Sequence, residues 1–279
     1  MKYNVTQEGT LIDFLLENTK KKRNDVKNLL KYENIAVDGH IETYHAYLLK
    51  VGQIVEISPK KSDFPLEIIY EDQEIIVVNK PCGLLSEQTN NESQKTAYYI
   101  VKQYLAKKKE NIFLVHRLDQ YTSGLLMFVK TKKLYDLLTK DWNHYVKIRG
   151  YIAIVEGQMP KIKDTIENYL AESKSQNVYI ANSEIGKKAI THYHQIKTNK
   201  KYSMLEVYLD TGRKNQIRVH LSSLHHPIVG DNKYGAKTNP LKRLGLHAHE
   251  LMFKHPISYE EKHFICKTPE CFDNLFKKY

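Results

Sequence analysis

Sulfur is scarce in this chain, and long apolar stretches are absent. Its 279 residues include three cysteines, Cys82, Cys266 and Cys271, and one tryptophan. An odd cysteine count builds no disulfide framework, which excludes the small cystine-stapled secreted class and points to a reducing, cytoplasmic setting. Cys266 and Cys271 lack the second pair that a structural zinc site needs. No apolar run reaches the about 20 residues of a membrane-spanning helix, so no membrane partner is expected. The opening Met1-Lys2-Tyr3-Asn4-Val5-Thr6-Gln7 carries no apolar signal core. Negative charge is also in short supply: 43 Lys/Arg stand against 32 Asp/Glu, a net charge of +11. That surplus suggests a polyanionic partner, beside the plainer reading of a solvated basic surface that aids solubility.

The surplus is uneven. Residues 1–60 hold nine Lys/Arg against eight Asp/Glu, leaving 34 against 24 for the remainder. Any anion-attracting field therefore belongs mostly to the larger part. At 41% hydrophobic residues the chain can bury a substantial core.

Residues 1–60 read as a compact unit. Thr10 caps a helix carrying Leu11, Phe14 and Leu15, with Asp13 three residues beyond the cap. A second helix from about Asn24 puts Val26, Leu29 and Leu30 on one face and Arg23, Lys27 and Lys31 in a basic stripe on another. Ile35-Ala36-Val37, Asp38-Gly39 and Ile41 then signal a hairpin. Ser58 to Pro65 has the composition of a linker.

Beyond it, residues 66–279 form the second unit. Leu66–Tyr70 and Glu74–Val78 read as strands, the second running into Asn79-Lys80-Pro81-Cys82-Gly83. Lys80 suits a phosphate contact as well as an ordinary surface position. Ala97–Lys109 and Leu134–Leu138 are expected to be helical. Arg149–Gly157 is expected to be a strand. Residues 158–188 are polar and read as irregular surface excursions. Met204–Leu209 alternates apolar and polar as a half-buried strand does.

The densest chemistry lies in His116-Arg117-Leu118-Asp119-Gln120-Tyr121-Thr122-Ser123-Gly124, which runs straight into Leu125-Leu126-Met127-Phe128. A polar loop feeding a buried strand can hold a carboxylate rigidly at a cleft mouth. The plainer reading is that Asp119 and Thr122 only cap a turn. A second polar cluster, Thr211-Gly212-Arg213-Lys214-Asn215-Gln216-Ile217-Arg218-Val219-His220, joins a strand to a helix start, where free backbone N–H groups favour anions.

These segments resemble the RluA-type pseudouridine synthases. His116-Arg117-Leu118-Asp119 with Thr122-Ser123-Gly124 matches that family's signature, and Asn79-Lys80-Pro81-Cys82-Gly83 resembles its first motif. Thr211–His220 resembles Thr-Gly-Arg-x-His-Gln-Ile-Arg-x-His, with Asn215 where the family usually has histidine. His226–Asp231, Leu244–His249 and Phe253–Pro256 match its closing segments. The first 60 residues resemble the S4 RNA-binding domain such enzymes often carry, although Glu33-Asn34 replaces the usual glycine before the hairpin.

The resemblance implies an α+β class: a pseudouridine synthase fold with a large mixed, mostly antiparallel sheet and a central cleft, after a small α+β S4-like domain. It implies an RNA isomerase acting as a monomer, without a cofactor or metal, on large-subunit ribosomal RNA in preference to transfer RNA. Asp119 would be the nucleophile and Arg218 its charge partner, keeping it ionised. Tyr151 would stack on the uracil with its hydroxyl near C5 for the final proton removal. Arg117 would steady the RNA around a flipped base, and Arg213, Lys80, Arg23, Lys27 and Lys31 would bind RNA. Two rivals stand beside this reading. A metal hydrolase could use His192-x-His194 or His247-x-His249, but neither pair has a carboxylate general base at a familiar spacing. A non-catalytic RNA-binding protein of the same fold would have little use for Asp119, Tyr151 and Arg218 together.

Overall fold

A computed structural model of the chain describes residues 2–31, 35–57, 66–87 and 96–277. Contacts divide the chain into two units, Met1–Pro65 and Leu66–Tyr279. The Glu33-Asn34 pair, the Ser58–Pro65 segment and the side chain of Lys31 lie outside the described residues.

The first unit runs β1 (Lys2–Asn4), β2 (Gly9–Thr10), α1 (Leu11–Thr19), α2 (Arg23–Lys31), β3 (Ile35–Val37), β4 (His40–Ile41), β5 (Leu48–Leu49) and β6 (Ile54–Ile57). Thr10 caps α1, accepting from the Asp13 N–H at 3.3 Å. Asp38 and Gly39, both at positive φ, close the β3–β4 hairpin. Leu11, Leu15, Val26, Leu30 and Ile35 meet in its core. Arg23 and Lys27 are exposed on α2.

The second unit begins with β7 (Glu67–Glu71) and β8 (Ile75–Lys80), then α3 (Ala97–Ala106), β9 (Phe113–Leu114) and β10 (Ser123–Val129). After them come α4 (Lys132–Lys140), α5 (Trp142–Tyr145) and β11 (Val146–Glu156). β12 (Lys163–Glu172), β13 (Val178–Ala181), β14 (Lys187–Thr198) and β15 (Tyr202–Leu209) follow. The chain closes with α6 (Gln216–Ser223), β16 (Leu246–Lys254), β17 (Glu261–Ile265) and α7 (Glu270–Lys277).

Eleven strands form one sheet in the order β13-β12-β14-β15-β11-β16-β10-β8-β7, with β17 on β16 and β9 on β10. Among the described pairings of this sheet, only β10 with β16 is parallel. The class is therefore mixed and mostly antiparallel, as expected.

The expectation of irregular structure over 158–188 was wrong, because β12 and β13 lie there. β12 buries only Ile166 and Leu170 among polar neighbours. Leu170 packs with Val178 of β13 and Val219 of α6, while most of the other β12 side chains are exposed or half-buried. The usual apolar alternation of a strand is diluted there.

Two packing layers set the site. Beneath β10, Leu125, Met127 and Val129 join Leu134, Leu138 and Phe253. On the other half, Ile217 and Leu221 of α6 pack on Ala153, Val155, Leu205 and Val207, with Tyr151 at the edge.

Candidate active site

Asp119 lies in the loop between β9 and β10, with 30% of its side chain exposed. The loop is clamped from behind. Ser86 Oγ donates to the Leu118 carbonyl at 2.7 Å and accepts the Leu118 N–H at 3.0 Å. Gly83 N–H donates to the Gln120 carbonyl at 2.9 Å, and Cys82 Sγ donates to the Tyr121 carbonyl at 3.0 Å. Thr122 N–H returns to the Asp119 carbonyl at 3.1 Å. The turn that the plainer reading foresaw is present, within this larger clamp.

Beyond the loop, β10 is wholly buried and passes against β16. Gly124 has φ +114°, and a Cβ there would sit 2.0 Å from the Ala248 carbonyl oxygen. Only glycine permits this approach. Next to it, Arg243 Nη2 donates to Ser123 Oγ at 2.5 Å, so the Ser123 hydroxyl proton is directed to His247 Nδ1 at 2.8 Å. Burial and the Arg243 charge hold His247 neutral, at a pKa of about 4.

Lys80 corrects the sequence reading. Its side chain has no exposed surface, and Nζ donates to the carbonyls of Leu84 (2.7 Å), Gln120 (3.0 Å) and Pro81 (3.2 Å). It cannot reach a phosphate. It ties the 80–84 turn to the Asp119 loop, and burial brings its pKa down to about 8. A terminal strand residue beneath a turn of unpaired carbonyls is drawn inward, because those acceptors need a donor.

Arg218 comes from the first turn of α6, 99 residues along the chain from Asp119. Its Nη1 lies 3.9 Å from Asp119 Oδ2. The tighter partner is Asp231, whose carboxylate takes Nε and Nη2 in two 2.7 Å bonds. Asp231 has no exposed side-chain surface. Gly230 before it has φ +77°, and a Cβ there would meet the Arg243 carbonyl oxygen at 2.4 Å. The third arm of Arg218, Nη1, donates to Asn215 Oδ1 at 2.8 Å, and Asn215 Nδ2 donates to the Tyr234 hydroxyl at 3.0 Å. The Tyr234 ring lies 4.9 Å from the guanidinium carbon.

The charge balance at Asp119 also differs from expectation. Burial pushes its carboxyl above the usual carboxylate range. Arg218, then Lys80, Arg117 and Lys214, oppose the shift without cancelling it. A 3.9 Å approach leaves much of the desolvation uncompensated.

Tyr151 sits on β11, where burial, with the Asp119 charge adding and Arg149 opposing, raises its hydroxyl to about 12. The hydroxyl is protonated at neutral pH. Arg149 Nη2 donates to the Asp210 carbonyl at 2.5 Å. Arg213 is exposed at the neighbouring turn, its Nε donating to the Lys188 carbonyl at 3.0 Å. Arg117 is 67% exposed and pairs with Glu87 at 2.5 Å.

Sequence reasoning missed Ser86, Gln216, Asp231 and Tyr234. Gln216 is buried with four bonds. Oε1 accepts from Thr211 Oγ1 and Arg213 N, and Nε2 donates to Ile190 O and Thr191 Oγ1. It locks the turn before α6 to β14. A charged Asp231 directly after an apolar Pro-Ile-Val-Gly run was the available signal, since such a residue needs a buried cation. One histidine of each rival metal pair is engaged elsewhere, His192 with Thr165 and Asp210, both at 2.8 Å, and His247 with Ser123.

A family signature described as RNA pseudouridylate synthase matches residues 74–223. The chain is 35% identical over 232 residues to a protein named ribosomal large subunit pseudouridine synthase D from Zymomonas mobilis, covering 77% of this chain and 73% of that one. It is 30% identical to an uncharacterized RNA pseudouridine synthase of Bacillus subtilis, over 99% of this chain and 95% of the relative. The solved structure of human RNA pseudouridylate synthase domain containing 4 shares the fold. The TM-score is 0.62 at 24% identity, over 74% of this chain and 90% of that one.

Proposed function

Since the chain belongs to the RNA pseudouridylate synthase family, and is thus an RNA-modifying isomerase, we propose that it converts specific uridines of large-subunit ribosomal RNA to pseudouridine, with Asp119 as nucleophile. The target class follows the relatives named as ribosomal large subunit enzymes. The observation that carries the chemistry is the meeting of a partly exposed Asp119, in a loop clamped on both sides, with a rigidly held Arg218.

In the reaction the N1–C1′ bond of uridine breaks, the uracil turns, C5 joins C1′, the C5 proton leaves and N1 takes a proton. Atoms and electrons balance without an oxidant. An ionised Asp119 assists departure of the base and holds one fragment while the base turns. Arg218 supplies the positive charge that favours that ionised form. Tyr151 offers a ring for the uracil to stack on, and its protonated hydroxyl is a hydrogen-bond donor.

A duplex or stacked uridine must leave its stack to reach Asp119. Arg117, exposed and paired with Glu87, can exchange that partner for RNA. Arg213 at the α6 turn, with Arg23 and Lys27 on α2, offers further phosphate contacts. The first unit serves as the S4-like RNA-binding domain under this reading. Its removal is expected to weaken RNA binding without abolishing chemistry.

Tritium release from RNA labelled at uridine C5 tests the nucleophile. Folded Asp119→Asn protein should release none, and release at the wild-type rate ends this mechanism. Mapping pseudouridines in ribosomal and transfer RNA from a deletion strain identifies the target.

A further inference from the structure

Asn215 has an unusual double engagement. It occupies the position before α6 in the left-handed region, φ +54°, and makes no helix-capping bond. Asparagine tolerates that backbone better than most residues. Its amide instead bridges two groups, accepting from Arg218 Nη1 at 2.8 Å and donating to the Tyr234 hydroxyl at 3.0 Å. Nη1 is the arm of Arg218 nearest Asp119. Asp231 fixes the other two nitrogens and with them the guanidinium plane, and Asn215 takes one of the two Nη1 hydrogens within it.

We propose that Asn215, oriented by Tyr234, is a positioning residue that presents Arg218 Nη1 to Asp119 and so sets the ionisation of that carboxylate. The proposal rests on Asp119 being the nucleophile. Nη1 has two hydrogens. With one given to the Asn215 oxygen, the other is left for the carboxylate. The amide suits this place because it offers one neutral acceptor and one donor. A histidine side chain, which the resembling motif carries here, offers the same pair. An aspartate keeps the shape but adds a second anion to the same nitrogen.

The groups facing Asp119 are Arg218 and Lys214 from the α6 segment, Lys80 from β8, and Arg117 on its own loop. Tyr151 on β11 is also within reach of its charge. Of these, Asn215 acts directly on Arg218 only. Asn215→Asp therefore changes the Asp119 environment through that guanidinium and through its own negative charge, whereas Tyr234→Phe acts through the amide alone; all three side chains, Asn, Asp and His, tolerate the left-handed backbone.

The experiment measures tritium release by the full-length enzyme from C5-labelled ribosomal RNA as a function of pH, giving kcat and KM. The variants are Asn215→Asp, Asn215→His, Tyr234→Phe and Asp119→Asn. Asn215→Asp should move the acidic limb upward by about one pH unit, so that kcat falls roughly tenfold at pH values below that limb and less at neutral pH, with KM within about twofold, because a nearby anion disfavours ionisation. Asn215→His should restore the wild-type limb. Tyr234→Phe removes only the hydroxyl that orients the amide, so it should shift the limb in the same direction by less. It also carries the test if Asn215→Asp does not fold.

Wild-type limbs in both Asn215→Asp and Tyr234→Phe overturn the proposal, as does Asn215→His behaving like Asn215→Asp. If those variants match wild type while Asp119→Asn is dead, only this inference fails. An active Asp119→Asn removes the reading beneath it.

Discussion

Asp231, which has no exposed side-chain surface, holds Arg218 through two 2.7 Å hydrogen bonds, whereas Asp119 stands 3.9 Å from the same guanidinium. The arginine is anchored by one carboxylate and offered to another. The paired fork and the Asn215 bond fix its plane, so it can neither rotate toward solvent nor collapse onto Asp119.

Asp231→Asn should therefore damage stability and activity together. Removing one charge of a buried pair typically costs on the order of 3–5 kcal/mol. Urea unfolding at pH 7 should show a loss of that size, and tritium release by the folded fraction should fall because Arg218 is no longer oriented. A variant with wild-type midpoint and rate would show that Arg218 needs no such anchor.

Lys80→Met keeps much of the side-chain volume but leaves the carbonyls of Pro81, Leu84 and Gln120 without their shared donor. Hydrogen bonds to a charged group contribute roughly 1.5–3 kcal/mol each. The variant should lose several kcal/mol at most, and its kcat should fall more than its RNA affinity, since the Asp119 loop loosens while no phosphate contact disappears. Weakened RNA binding with unchanged kcat would restore the surface role.

Tyr151→Phe separates two roles. With its hydroxyl raised to about 12 by burial, Tyr151 is a poor proton acceptor in the free protein. If the ring is a platform, Tyr151→Phe should keep RNA affinity and substantial turnover. If the hydroxyl takes the C5 proton once RNA has rearranged its surroundings, turnover should collapse at unchanged affinity. Single-turnover tritium release with a binding isotherm distinguishes the outcomes.

Mild acid should destabilise the fold. Burial holds His116, His220 and His247 at a pKa of about 4, against an unfolded value of 6.5. Between those values the unfolded chain binds more protons, so stability is full above about pH 6.5 and declines as pH falls toward 4. His116 accepts the Met127 N–H at 3.0 Å and His247 accepts from Ser123, roles that need an unprotonated nitrogen. Urea midpoints from pH 7 to pH 4.5 should fall steadily, and His247→Asn should flatten the slope. A flat wild-type profile would mean that these histidines are accessible to protons in the folded state.

Local order was legible where it rests on local forces: the Thr10 cap, the Asp38-Gly39 hairpin and the apolar run of β10. The polar cluster at Asp119 and the Arg213–Arg218 segment were visible because such residues are costly beside a core strand unless they have partners or work. What tertiary structure alone decided were pairings across long stretches of chain. Arg218 was assigned to Asp119, yet its firm partner is Asp231, because a bidentate fork requires the strand-docked Ile228–Gly230 segment to bring that carboxylate into its plane. Lys80 looked like a surface cation until the 80–84 turn and the Asp119 loop closed over it with three carbonyls. β12 and β13 were hidden because each buries few side chains, Ile166, Leu170 and Val178, among polar neighbours, which breaks the period-two pattern. The Asp119 ionisation balance depends on desolvation against several charges at once, and distances of a few ångströms between remote segments are written in no local pattern.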